Sequence, residues 1–129
     1  MEVVAIVTVL AVIEYMILGL QVGQARGKYG VEAPAITGHP IFERYFRVHQ
    51  NTLEQMPVFL PGLWLFAYYV SPSIAAALGL VFIAARAIYA RGYVTEPRKR
   101  ETGVIISLIA TSVLLLGGLI GAVIKMFRG

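Results

Sequence analysis

Apolar residues fall into four long runs separated by three polar or proline-marked breaks, a pattern that predicts four helices. Val3 to Gln24 is mostly apolar and is interrupted only by Glu14. Tyr45 to Val70 is polar in its first half and apolar in its second, whereas Ile74 to Tyr93 and Gly103 to Ile124 are apolar for most of their length. A bilayer core takes about 20 residues of helix to cross, and each run has that length. The expectation is an all-α integral membrane four-helix bundle, with helices at residues 3-24, 45-70, 74-93 and 103-124 in one domain covering 1-129. No run shows the alternation of a barrel strand, and helices satisfy their backbone groups internally, as lipid demands. Arg26 to Arg44 reads as a long polar connection containing Gly27, Gly30, Pro34, Gly38 and Pro40. Ser71-Pro72-Ser73 is a short stop, because proline lacks an N–H and disfavours helix in the residue before it. Thr95 to Glu101 is a charged loop containing Pro97-Arg98-Lys99-Arg100. In the last run, Gly117-Gly118-x-x-Gly121 reads as a surface for close helix packing.

Composition agrees with the pattern. The chain has 129 residues, 58% hydrophobic and 14% charged, against about 25% charged in soluble domains. Glu2 follows Met1 with no basic stretch, so the first run reads as a retained span rather than a cleaved leader. There is no cysteine, which excludes disulfides, thiolate metal sites and a cysteine nucleophile. Any thiol chemistry must use a thiol brought by the substrate. The formal net charge of +4 is spread over loops and forms no nucleic-acid-binding run. Arg26, Lys28, Arg44, Arg47, Arg91, Arg98, Lys99 and Arg100 lie at the first and third connections, and the second connection is uncharged. The positive-inside rule then puts those two connections in the cytoplasm and both termini on the far side.

Candidate chemistry lies where the runs break their own apolarity, since a charge inside a span is costly and usually faces protein or water. Arg47, Asn51 and Glu54 sit at i, i+4 and i+7, on one helical face, and His49 projects to roughly the opposite side. Arg86, Tyr89 and Tyr93 share a face in the third run at i, i+3 and i+7. One reading is structural: Arg47 and Glu54 neutralise each other, and the tyrosines form an interfacial belt. The other is a ligand site, and the cluster as a whole favours it. Glu14 pairs with a buried arginine, holds helices in register, or serves function directly. His39, between Gly38 and Pro40, reads as a loop residue. No spacing makes a metal site, and there is no glycine-rich phosphate loop. Arginines grip carboxylates, Glu54 suits an ammonium, and Asn51 and the tyrosines add neutral partners. A small zwitterion with more than one carboxylate fits; glutathione is one such molecule, though composition alone does not select it.

The run Phe42-Glu43-Arg44-Tyr45-Phe46-Arg47-Val48-His49-Gln50-Asn51-Thr52-Leu53-Glu54-Gln55-Met56-Pro57 resembles the signature of the MAPEG family, the membrane-associated proteins in eicosanoid and glutathione metabolism. Arg86-Ala87-Ile88-Tyr89-Ala90-Arg91-Gly92-Tyr93 is similar to the family's third-helix motif. The resemblance covers nearly the whole chain and is closest to the branch of microsomal glutathione transferase three and leukotriene C synthase. It implies a homotrimer that binds glutathione between neighbouring subunits, toward the cytoplasmic side of the membrane. Arg47, Asn51 and Glu54 then serve one subunit's side of a site, while His49 and Arg26 serve the adjacent site. Tyr89 and Tyr93 match family glutathione contacts, with Arg86 near them. Arg100 matches the arginine that stabilises the glutathione thiolate, with Arg98 as the alternative.

The implied function is a membrane-bound glutathione transferase or peroxidase, with glutathione as co-substrate, no metal, and a lipophilic electrophile or lipid hydroperoxide entering from membrane lipid. Relatives specialised for leukotriene synthesis carry a second arginine where this chain has Gly27 and a tyrosine where it has Gln55. A general transferase or peroxidase is therefore the expectation rather than a dedicated leukotriene synthase. The alternatives are a non-catalytic scaffold or lipid-presenting protein of the same family, against which the retained Arg47, Asn51, Glu54 and Arg100 argue, and a small transporter. The polar groups gather at one end of two helices, which argues against a continuous transport path.

Overall fold

The computed structural model describes residues 1–95 and 100–129. They form four helices: α1, Glu2–Tyr29; α2, Pro40–Tyr69; α3, Pro72–Thr95; and α4, Arg100–Arg128. All four are longer than the apolar runs predict, and each passes the predicted bounds at both ends except α2, which starts earlier but stops at Tyr69, one residue short of 70. The span rule counts residues matched to lipid, but a helix continues into water until its backbone is capped or broken. α1 carries Arg26 and Lys28 in its last turn and stops at Gly30, which takes the left-handed conformation (φ 68°) and donates its N–H to the Arg26 carbonyl. α2 starts at Pro40, a residue suited to a first helical turn. His39 is its N-cap, with Nδ1 accepting from the Ile41 N–H at 3.2 Å, so this histidine closes a helix end rather than merely filling a loop. The polar connection is correspondingly shorter than 26–44. At the stop, Ser71 Oγ accepts from the Ile74 N–H at 3.3 Å, at the start of α3. Arg98 lies outside the described residues.

Among the described residues, three helices are long and apolar enough to cross a membrane: α1, α3 and α4. α2 is as long, but its first half carries Glu43, Arg44, Arg47 and Glu54. The expected span at 45-70 is therefore not among the three; it lies in a helix whose composition changes midway. It passes through Pro57 and Pro61 without breaking, which membrane helices tolerate where neighbours re-satisfy the freed carbonyls.

α2 and α3 form the centre, since each packs on the other and on both α1 and α4; among the described residues, no packing of α1 on α4 is found. The main core joins Val4, Val7 and Ala11 of α1 to Phe59 and Leu63 of α2, Phe82 of α3 and Leu114 of α4. Phe59 and Phe82 stack at 3.9 Å between centroids. α4 is held by close approach. A Cβ at Gly118 would lie 3.2 Å from the Phe66 N, one at Gly121 2.9 Å from the Tyr69 carbonyl oxygen, and one at Gly103 2.6 Å from the Tyr89 N. The glycine pattern therefore does serve packing. Large residues point the other way: Leu108, Leu116, Leu119 and Ile120 on α4, and Ile6, Val9 and Leu20 on α1, are all more than half exposed in the single chain. An apolar face of that kind suits lipid or further protein.

Candidate active site

The site forms at the end of the bundle where α2 starts and α3 finishes. Arg44 Nη1 donates to the Val94 carbonyl at 3.2 Å and ties those two ends together. The helical spacing then acts as the pattern predicts. Arg47, Gln50, Asn51 and Glu54 of α2 and Tyr89 and Tyr93 of α3 line one pocket of about 190 Å³. Beneath it, Leu18, Val48 and Tyr89 form a small core against which Tyr93 and Val104 pack. Tyr89 and Tyr93 lie 5.7 Å apart between centroids, and the Arg100 guanidinium sits over the Tyr93 ring at 5.1 Å. Gly103 makes that approach possible, because it lets the first turn of α4 lie directly on the α3 backbone at Ala85 and Tyr89.

Arg47 and Glu54 are both exposed, and among the described residues they make no ion pair within 4.0 Å. Mutual neutralisation is therefore not what holds them, and among the described residues neither the cation nor the carboxylate has an ionic partner. Gln50, which the spacing argument passed over, joins the lining. It follows Arg47 at i+3, a signal the sequence did contain.

Arg86 is close to the pocket but does not line it. It is 1% exposed, and its Nη2 donates to Asn51 Oδ1 at 2.8 Å and to Thr52 Oγ1 at 2.9 Å. Its guanidinium lies over the Tyr89 ring at 4.2 Å. Thr52 in turn donates to the Val48 carbonyl at 2.9 Å. With the Asn51 oxygen committed to Arg86, the amide N–H donors are what Asn51 has left to offer the pocket. Arg86 thus stands behind Asn51 and Tyr89 as their support.

His49 and Arg26 lie elsewhere. His49 turns toward α1, where it stacks on Tyr15 at 4.4 Å, 16° from parallel. Gly19 leaves it room, since a Cβ there would lie 3.1 Å from His49 Nε2. Arg26 covers the Phe42 ring at 4.9 Å and donates from Nη1 to the Ala35 carbonyl at 2.6 Å. Neither lines the pocket of its own chain; for His49 this matches its place on the opposite face of α2.

A second cavity, about 730 Å³, runs between α1 and α3. Glu14 and Arg86 line it, together with Gln21, Lys28 and Arg91. No ion pair within 4.0 Å joins Glu14 to an arginine among the described residues, so direct pairing with a buried arginine does not occur. Among the described residues, no cluster of three or more metal-ligating side chains is found.

Comparison with known proteins identifies the family. An uncharacterized protein of Synechocystis sp. is 48% identical over 116 residues, covering 90% of this chain and 85% of that protein. Microsomal glutathione S-transferase 2 of Homo sapiens is 43% identical over 117 residues, covering 91% and 80%. Leukotriene C4 synthase of Mus musculus is 33% identical over 125 residues, covering 97% and 83%. The family model for MAPEG matches residues 4–120, and with relatives at this identity over most of both chains, the protein belongs to the MAPEG family.

Proposed function

We propose that the chain is one subunit of a homotrimeric, membrane-embedded glutathione transferase that activates the glutathione thiol for attack on lipophilic electrophiles, with lipid hydroperoxide reduction as a related activity. The observation that carries this reading is the 190 Å³ pocket of Arg47, Gln50, Asn51, Glu54, Tyr89 and Tyr93 beside Arg100. Its donors and acceptors match a tripeptide bearing two carboxylates, an ammonium and amide carbonyls. Arg47 takes a carboxylate, Glu54 the ammonium, and the Asn51 N–H donors a carbonyl or carboxylate oxygen. The names and identities of the relatives support the same class of chemistry.

The volume supports assembly. Sites for small ligands usually hold about 300–1,000 Å³, so a pocket of about 190 Å³ takes only part of such a ligand. In the proposed trimer, the α1–α2 face of a neighbouring subunit, with its Arg26 and His49, covers the rest. The exposed apolar rows of α1 and α4 supply surface for both the neighbour and lipid. The site then faces the cytoplasmic side, where the positive-inside rule directs the arginine-rich end.

The chemistry follows from charge. A free thiol has a pKa of about 8.5, and a neighbouring cation lowers it. The Arg100 guanidinium cannot deprotonate, so beside the sulfur it favours the thiolate at neutral pH. The thiolate attacks the electrophilic carbon of a substrate dissolved in lipid; a C–S bond forms and the leaving group departs with its electron pair. Arg86 supports Asn51 and Tyr89 without touching the ligand. The decisive experiment is conjugation of glutathione to a chlorinated nitroaromatic by purified protein, wild type against Arg100→Ala. Loss of most of the rate is expected. A wild-type protein that neither conjugates nor binds glutathione overturns the reading, and an Arg100→Ala variant with normal turnover overturns the role of Arg100.

A further inference from the structure

The deep end of the α1–α3 cavity holds two unsatisfied buried atoms of opposite character. Among the described residues, Glu14 Oε1 is buried without a hydrogen-bond partner, and so is Arg86 Nε, a donor on a side chain only 1% exposed. Both residues line the cavity. Buried polar atoms in native proteins almost always find partners, and a charge at membrane depth is costly unless it is matched. Among the described lining residues Glu14 is the sole carboxylate, and the other cations, Lys28 and Arg91, are exposed. Lys28 lies fourteen residues along α1 from Glu14, roughly 20 Å at 1.5 Å per residue. Arg86 is therefore the one buried cation in the described lining.

The two groups are further apart than a direct ion pair of 4.0 Å. A carboxylate oxygen accepts and a guanidinium N–H donates. One bridging group that does both, a water or a hydroxyl, satisfies the pair. The same guanidinium reaches the candidate active site on its other side, where Nη2 holds Asn51 Oδ1 at 2.8 Å. Arg86 thus joins two chambers that do not share a wall otherwise: the α1–α3 cavity at Nε and the small polar pocket through Asn51.

We propose that Glu14 is a positioning residue for the active site: across the hydrated floor of the α1–α3 cavity it holds Arg86 in the orientation that turns the Asn51 carbonyl inward and presents the Asn51 N–H donors to the ligand. The functional part rests on the glutathione reading above; the structural part stands without it. A carboxylate in α1 then sets which end of an amide in α2 faces the site, through a side chain of α3. Glu14 is neither a ligand contact nor an acid or base in this arrangement. It accounts for a charge in an otherwise apolar span that the pocket itself does not use.

The sequence supplies an unusually direct probe, because Asn51 is the only asparagine in the chain. Labelling with ¹⁵N-asparagine gives one side-chain amide signal from the full-length protein in detergent. Glu14→Leu, which removes the acceptor, is expected to move or broaden that signal without any ligand. Glu14→Gln keeps an acceptor oxygen at the same place and is expected to retain the wild-type signal. Arg86→Lys removes both Nε–H and the Nη2 donor to Asn51 and is the positive control, expected to disturb the signal directly; where Glu14→Leu yields no folded protein, the smaller truncation Glu14→Ala carries the test. An Asn51 amide left unchanged by loss of the Glu14 carboxylate, with the Arg86→Lys control disturbed, overturns the proposal.

Glutathione titration supplies the second readout. Glu14→Leu is expected to raise the glutathione Kd about tenfold, the size of a lost hydrogen bond to a charged group, and to change it less than about twofold once Asn51→Ala is present. An equal loss in both backgrounds means general damage and also overturns it. A wild-type amide signal that glutathione does not perturb counts against the glutathione reading alone, since the ligand-free comparison still decides the role of Glu14.

Discussion

Gly103 is the position where packing and chemistry are most tightly joined. A Cβ there would lie 2.6 Å from the Tyr89 N and 2.7 Å from the Ala85 carbonyl oxygen. These are backbone atoms of a neighbouring helix, so no side chain can swing aside. Restoring ordinary contact requires α4 to move by about 0.8 Å. Overpacking of this kind costs about 1–3 kcal/mol, offset by up to about 1 kcal/mol because alanine is the better helix former. Gly103→Ala is therefore expected to destabilise the protein by about 0–2 kcal/mol net. Arg100 lies one turn away, over Tyr93 at 5.1 Å, and moves with the helix. A displacement of about 1 Å in a positioning group can cost about 100-fold in rate, so kcat/KM for conjugation is expected to fall at least tenfold. The assay is thermal unfolding in detergent alongside steady-state conjugation. Gly27→Ala is the control, since a Cβ there meets nothing within 4 Å, and it is expected to leave both readouts near wild type. A Gly103→Ala variant as stable and as active as wild type would refute the reasoning.

Three further predictions concern the site. Arg100→Ala removes the cation that favours the thiolate, so the pH midpoint of the conjugation rate is expected to rise toward about 8.5; a pH–rate profile unchanged in the variant removes Arg100 from the sulfur. Arg47→Ala is expected to raise the KM for glutathione about tenfold, as one charge-assisted hydrogen bond is lost, with a smaller effect on kcat; steady-state kinetics at varied glutathione checks the split. Because the chain has no cysteine, a variant carrying Arg26→Cys and Glu54→Cys tests the subunit seam. Oxidation in membranes is expected to give a covalent ladder ending at the trimer, and a product that stays monomeric counts against that seam.

Much of this was legible in the sequence, for reasons specific to lipid. Apolar runs of membrane length are the strongest one-dimensional signal a chain carries, and they locate all four helices. They do not locate the ends, because capping by His39 and Gly30 operates outside the apolar stretch. At the site, period 3.6 brings Arg47, Asn51 and Glu54 together, and Tyr89 and Tyr93 opposite them. The same periodicity misassigns Arg86, which shares the tyrosine face yet ends behind the pocket. Its place is decided by the partner helix, where consecutive residues Asn51 and Thr52 both accept from one nitrogen. That contact depends on how two helices are rotated about each other, and no periodicity within one helix encodes it. The link from Glu14 to the same guanidinium needs a third helix and is further still from what spacing reveals.

The glycines of α4 carry a consequence for how the chain can change over time. In water a helix usually buries most of its large apolar residues. α4 buries Leu114 but otherwise sets Gly103, Gly118 and Gly121 against backbone, while Leu108, Leu116, Leu119 and Ile120 face outward. Lipid tails are as apolar as leucine, so the outer face gains little from any particular side chain, and the inner face gains from nearness. Mutational freedom is distributed accordingly. The bulky positions on the outer face can be exchanged among apolar residues at little cost where lipid covers them, whereas a single added methyl at Gly103 disturbs the helix that carries Arg100. For α4 the smallest residues are the least replaceable.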